Sequence, residues 1–396
     1  MPVVASGTFL FDAQRSGRSP HAVGNLREPD VCWETWLRAY PPSGAESSAG
    51  FDAAGNLYFG SHNGTFYSLS PSGEIRWVAL STAKIYGSPL VLADQVIYTS
   101  GDGFCHSFSL DGELRWRLDL SPSIRGESSR QRAVRELREL PDTLDVRRKY
   151  LVTIKSWASP VQVGPETVVV TGYSAAVQAL DFDGGLRWKF ALPGSAYTLS
   201  GACADPQGNV YATSFSGHGF CIHANGKESW RVRLPRGYRN WGSPSFDVRL
   251  GQVLFPMSRG ESDAKVSAVL NGVIRWEATI PGGVRGSVVF AYDSYLVAGL
   301  DGNLRWLEPN SGRITRTVRL SKAERGLWTT PAITADGQIL ITTKQSNLKG
   351  TLVCLEPNGE KRWEVEIGKA LSVPVIDAAG RVYVGSWDGN YRCFQT

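Results

Sequence analysis

Short runs in which apolar and polar residues alternate, separated by Gly-containing turns, fill almost the whole chain. Alternation places successive side chains on opposite faces, the period of a half-buried strand rather than of a helix. A marker sets the larger period. A turn followed by a strand bearing Trp returns at Ser72-Gly73-Glu74-Ile75-Arg76-Trp77, Asp111-Gly112-Glu113-Leu114-Arg115-Trp116 and Asp183-Gly184-Gly185-Leu186-Arg187-Trp188. It recurs at Asn225-Gly226-Lys227-Glu228-Ser229-Trp230, Asn271-Gly272-Val273-Ile274-Arg275-Trp276 and Asn358-Gly359-Glu360-Lys361-Arg362-Trp363. The copy Ser311-Gly312-Arg313-Ile314-Thr315-Arg316 lacks its Trp, and Cys32-Trp33-Glu34-Thr35 stands first without a turn before it.

The markers Trp33, Trp77, Trp116, Trp188, Trp230, Trp276, Arg316 and Trp363 are spaced by 44, 39, 72, 42, 46, 40 and 47 residues. Each period reads as a Ser-Pro-type entry, two alternating strands joined by a Gly-rich turn, and the Trp strand. Four short strands in about 40 residues predict a β-propeller blade. Eight markers predict an all-β, eight-bladed propeller of four-stranded antiparallel blades over residues 31–396, behind an N-terminal arm, 1–30. Residues 370–396 supply three strands without a Trp strand, and 31–37 a Trp strand without the other three. Pairing the two chain ends would complete the eighth blade and remove open edges. The marker Trp side chains are expected between neighbouring blades, with the preceding Arg turned to solvent.

The runs Gly55-Asn56-Leu57-Tyr58-Phe59-Gly60-Ser61 and Gly380-Arg381-Val382-Tyr383-Val384-Gly385-Ser386, with the Asp-Gly or Asn-Gly turns and the Trp strand, resemble the pyrroloquinoline-quinone-type propeller repeat. Quinoprotein dehydrogenases and the outer-membrane assembly propeller lipoprotein share that repeat. The resemblance implies the propeller fold. For the dehydrogenases it further implies a vicinal Cys pair and a calcium-binding set of acidic and Asn residues, and for the lipoprotein an export signal with a lipidated Cys. Here no two cysteines are adjacent, no calcium set can be matched, and no Cys precedes Cys32. No quinone, no metal and no other cofactor is therefore expected.

The 72-residue interval holds about 32 extra residues. Between 121 and 152 the pattern turns helical, with Val134, Leu137 and Leu140 on one face, Ser128 or Ser129 as cap and Pro141 as stop. One amphipathic helix is predicted there, between blades 2 and 3. It reads as a plain crossover, as a lid over the channel, or as a basic docking surface for a protein partner.

Composition narrows the function classes. The chain has 396 residues, 43 Gly, 13 Trp and a net charge of +5, with no apolar run near the 18–20 residues a membrane helix needs. No secretory pattern follows Met1, so a cytoplasmic protein is expected. The segment 121–150 carries eight basic and five acidic residues, too little excess for a nucleic-acid stripe. Neither nucleic acid nor membrane is an expected partner. Six dispersed cysteines without CxxC spacing argue against zinc and a disulfide framework, and Cys105, Cys221, Cys354 and Cys393 fall at buried strand positions. Asp102, Asp301 and Asp388 read as turn chemistry, and no P-loop, dinucleotide fingerprint or nucleophile elbow occurs.

Propeller geometry brings the residue before each small-Ser-Pro entry to one channel mouth. Those residues are Glu46, Tyr86, Trp157, Leu199 with Tyr197 nearby, Trp241, Arg285, Trp328 and Leu371. The turns between second and third strands add His62, Tyr173, His218 and Trp387 on the same face, with Lys344 in reach. The aromatics are either a core plug or a ligand pocket, and each His either a surface turn residue or part of that pocket. Glu46 and Arg285 favour the pocket, because a buried charge without a partner is costly. The leading expectation is a small-molecule-binding propeller. Arg285 would receive an anionic group. Trp157, Tyr197, His218, Trp241, Trp328 and Trp387 would hold a planar organic ligand. Glu46, His62 and Tyr86 would do cofactor-free acid–base chemistry of the cyclase, isomerase, lyase or hydrolase kind. The alternative is a protein-interaction scaffold resembling the outer-membrane assembly propeller.

Overall fold

The structure, a computed structural model, describes residues 7–24, 29–37, 44–120, 158–172, 175–193 and 198–395. They form eight antiparallel sheets, one per predicted blade. Seven sheets have four strands; blade 5 has five, because its innermost strand is split into Arg239–Asn240 and Ser245–Asp247, both paired with Gln252–Arg259. The eighth blade is built from both chain ends. Asp30–Trp36 pairs with Asn390–Gln395, which continues through Val382–Gly385 to Val375–Ile376. There is no helix among the described residues, and the predicted helix and the whole of 121–152 lie outside them. No helix long and apolar enough to cross a membrane occurs among the described residues.

The marker Trp strand is what joins one blade to the next. The indole Nε1 of Trp33, Trp77, Trp116, Trp188 and Trp276 donates to Pro71, Leu110, Phe182, Ala224 and Pro309 carbonyls of the following blade, at 2.8–3.0 Å. The ring lies flat against that blade's turn glycine, which explains why the turn needs Gly twice over. At Gly226 the backbone sits at φ +83°, and a Cβ there would lie 2.7 Å from Trp188. Gly226→Ala is expected to cost about 2–3 kcal/mol, whereas Gly164→Ala, at φ +70° but with open space around it, should cost about 1 kcal/mol. Urea unfolding of the two variants measures the contact separately from the backbone strain.

The Arg before the Trp is exposed in blades 1, 2, 3 and 5, at Arg76, Arg115, Arg187 and Arg275, as expected, and in blade 1 it also bonds along the sheet. In blade 1 a β-bulge opposite Ser68 leaves Arg76 as the extra residue, which interrupts the alternation. Arg76 therefore turns back across its own sheet to the Ser68 hydroxyl at 3.0 Å, then to Tyr58, the Leu110 carbonyl and Asp111 of blade 2. The same bulge occurs in the outer pair of every blade.

Nearer the axis, hydroxyls stitch the innermost strands. Backbone N–H groups of Val373, Ser48, Ser88, Gly201 and Ser287 each donate to the hydroxyl one blade on, from Ser48, Ser88, Ser159, Ser243 and Thr330 respectively. The recurring Ser of the entry motif is thus structural. The small residue before it is structural too: a Cβ on Gly242 would lie 2.1 Å from the Gly286 carbonyl oxygen.

The described part of the N-terminal arm, from Gly7, runs along the other ends of the innermost strands. Backbone N–H groups of Val91, Ala204, Phe246, Phe290 and Ile333, each five residues beyond a mouth residue, donate to Gly7, Ala13, Gln14, Ser16 and Gly17 of the arm. Arg15 is fully buried at its centre. Its guanidinium donates to the carbonyls of Ala202, Phe9, Ser159 and Pro160 and to Thr8 Oγ1, at 2.6–3.2 Å. Leu10, Phe11 and Arg15 adopt left-handed backbone (φ 57°, 74° and 58°), a conformation such residues hold only when packing enforces it.

Candidate functional site

The channel holds a cavity of about 80 Å³, or about 620 Å³ with the open space in front of it included. Tyr86, Trp241, Trp328 and Leu371 wall it, Glu46 and Arg285 supply the charges, the Ser ring lies below, and Phe9 of the arm contributes to the lining. The first-strand entries therefore converge as the sequence geometry required.

Arg285 stands between two indoles, its guanidinium carbon 3.9 Å from the Trp241 ring centre and 5.3 Å from that of Trp328. Both contacts are of cation–π kind. Its Nε and Nη1 are buried without a hydrogen-bond partner. Burial first, and Arg325 beside it, push its pKa down to about 10, while Glu261 acts the other way. Glu261, however, is already paired with Arg325, which also lies over Trp328. Across the mouth, Lys369 sits 3.3 Å from the Trp387 ring centre, and its pKa is lowered by burial and then by Lys344 and Arg325, with Glu46 opposing. Lys344 donates to the Glu324 carbonyl at 3.0 Å. The described mouth thus gathers Arg285, Arg325, Lys344 and Lys369 around two carboxylates, Glu46 and Glu261.

Glu46 Oε1 lies 3.5 Å from His62 Nε2, and both side chains are nearly buried. His62 stands behind Glu46 rather than in the cavity wall. Its ring meets Tyr86 and Trp387 edge-on, at 4.7 and 5.2 Å between centres. The Tyr86 hydroxyl pKa is raised by burial and then by the Glu46 charge, so the phenol stays protonated. A carboxylate at the wall, backed by an imidazole and flanked by a neutral phenol, can take or give one proton to a molecule in the cavity.

Not every candidate joins this group. His218 lies apart, bonded to Ser216 and Arg233 near a second cavity lined by Arg233, Arg236 and Arg239. Trp157, Tyr173 and Tyr197 lie outside the described residues. Leu199 is buried. Phe9, Glu261, Arg325 and Lys369 were not singled out from sequence. Phe9 sits in the arm, outside the repeat, and the other three occupy blade connections and turns whose length varies, so no repeat position marks them. Asp102 does serve its turn: it accepts from Ser81, Thr82 and the Phe104 N–H, and Ser100 bridges it to His106.

The donor set of the mouth does not fit a calcium-held quinone. Among the described residues no three His, Cys, Asp or Glu side chains are grouped to hold a metal, and the wall offers Glu46 as its carboxylate.

Comparison with known proteins agrees with this architecture. The family model described as outer membrane protein assembly factor BamB matches residues 23–148, 111–290 and 221–396. No curated protein matches the sequence. Among solved structures, BamB from Moraxella catarrhalis superposes with a TM-score of 0.65 at 15% identity, covering 93% of this chain and 98% of that one. The computationally designed Ika8 protein gives 0.65 at 12% identity, covering 91% and 98%. The quinohemoprotein alcohol dehydrogenase ADHIIG from Pseudomonas putida HK5 gives 0.66 at 12% identity, covering 99% and 80%. The Gly-turn and Trp-strand grammar, the eight blades closed through both chain ends, and a family match spanning nearly the whole sequence together place this chain in the PQQ-like, BamB-type family of β-propeller repeat proteins.

Proposed function

We propose that this propeller binds a small planar organic anion in the cavity of its channel. The observation that carries the reading is Arg285, a guanidinium held between Trp241 and Trp328 with two buried nitrogens lacking any acceptor. A half-buried cation with two buried, unbonded nitrogens is costly unless something pairs with it, and a carboxylate or other anion entering the mouth would do so. The indoles offer flat apolar surface to the rest of such a ligand. A cavity of about 80 Å³ suits a small ligand, on the scale of one aromatic ring.

The Glu46–His62 pair adds proton transfer to binding. A ligand acidic or basic at the atom facing Glu46 would be turned over without a cofactor, by isomerisation, elimination, cyclisation or hydrolysis. His62 holds and polarises Glu46, and Glu46 meets the ligand. Titration of the purified protein with single-ring aromatic carboxylates and their neutral amides, followed by NMR, tests the site. Carboxylates should bind and amides should not, and Trp241→Ala should weaken binding about tenfold through lost stacking. Equal binding of acids and amides would remove the anion from the proposal. Once a converted ligand is found, Glu46→Gln should abolish turnover while leaving its Kd nearly unchanged.

The family match favours a second reading, a protein-interaction scaffold. On that reading, a partner complex would weaken on changing Arg135 and Arg138 of the basic insertion and would ignore Trp241→Ala.

A further inference from the structure

The outer pair of every blade carries one bulge, and in blades 1 and 4 the bulge residue touches the residue that faces the marker Trp. In blade 1 this brings Arg76 Nη1 3.0 Å from Ser68 Oγ. In blade 4 it brings Ser229 into hydrogen-bond contact with Cys221. At the join between the chain ends the same two positions are Cys32, on Asp30–Trp36, and Cys393, on Asn390–Gln395. In the register Val31 faces Phe394 and Trp33 faces Cys393, leaving Cys32 as the bulge residue. Its sulfur lies on the Cys393 side of the sheet, 3.6 Å from Gln395 Oε1. The bulge sets Cys32 next to Cys393 across the strand pair, and burial first, then Cys32, holds the Cys393 pKa up, to about 12. Cys32 is exposed and Cys393 buried beneath it.

We propose that Cys32 and Cys393 form a reversible disulfide that latches the propeller ring shut at the one blade made from both chain ends. None of the other seven outer pairs places two cysteines at these positions. The other pairs lie between neighbouring strands of one continuous blade, whereas this pair spans about 360 residues of chain. The oxidant is a small-molecule disulfide such as oxidised glutathione. The exposed Cys32 thiolate attacks it and releases one glutathione thiolate, forming a mixed disulfide. The Cys393 thiolate then attacks Cys32 sulfur, expelling the second glutathione. The protein loses two electrons and two protons, and the glutathione disulfide is reduced to two thiols. A reducing thiol reverses both steps.

The test uses the full-length protein, incubated with oxidised glutathione, quenched with an alkylating agent and measured by intact mass and peptide mapping. The expected product is lighter by about 2 Da before alkylation, keeps four alkylatable thiols and yields a cross-linked Cys32–Cys393 peptide. Its unfolding temperature should rise by about 5 °C or more and fall back on reduction. Cys32→Ser, at an exposed position, and Cys393→Ser, which installs the residue blade 1 carries there, should each abolish the cross-link and the thermal shift. A stable adduct heavier by about 305 Da on Cys32, with Cys393 still alkylated after unfolding, would overturn the latch, as would six alkylatable thiols.

Discussion

Arg15→Met is expected to destabilise the protein by about 3–4 kcal/mol, a large effect for one substitution. The methionine fills much of the volume, so the loss comes from hydrogen bonding. Carbonyls of Phe9, Ser159, Pro160 and Ala202 lose their donor inside the fold. An unsatisfied buried acceptor costs about 1–3 kcal/mol, and relief from burying the guanidinium, whose pKa burial lowers to about 10, offsets only part of the sum. Arg15→Lys should recover little, because a single ammonium cannot span acceptors on the arm and on blades 3 and 4. Urea unfolding of the full chain measures this. A loss below about 1 kcal/mol would mean that the arm is not part of the cooperative unit.

Arg285→Gln should lower affinity for an aromatic carboxylate about 30- to 100-fold, the worth of a charge-assisted contact in a half-buried site. Glutamine keeps a donor but loses the charge and the planar stack on Trp241. Calorimetric Kd values for the wild type and the variant give the number. The neutral amide serves as control, since its weak binding should not change. Salt provides a second readout, because four cations and two carboxylates around the mouth leave a positive field that screening weakens. Unchanged carboxylate affinity in the variant would move the anion site away from Arg285.

The number of blades, their strand grammar, the joining of the chain ends and six of the side chains that line the cavity were legible in the repeat. Each of these follows from a repeat. When Trp77 and Trp188 occupy the same place in two periods, one local geometry serves both, and the strand period of two assigns each side chain its face. The entry positions of Glu46, Tyr86, Trp241, Arg285 and Trp328 were legible for the same reason. What the repeat does not encode, only tertiary structure decided. The bulge turns Arg76 and Cys32 off the face that alternation assigns them, since a single extra residue shifts orientation without leaving a mark in the hydrophobic pattern. The same bulge sets Cys32 beside Cys393, a residue from the opposite end of the chain. Nothing in the arm's composition announced that Arg15 would be buried against carbonyls of blades 3 and 4, because its partners are backbone atoms, and backbone carbonyls are the same in every sequence.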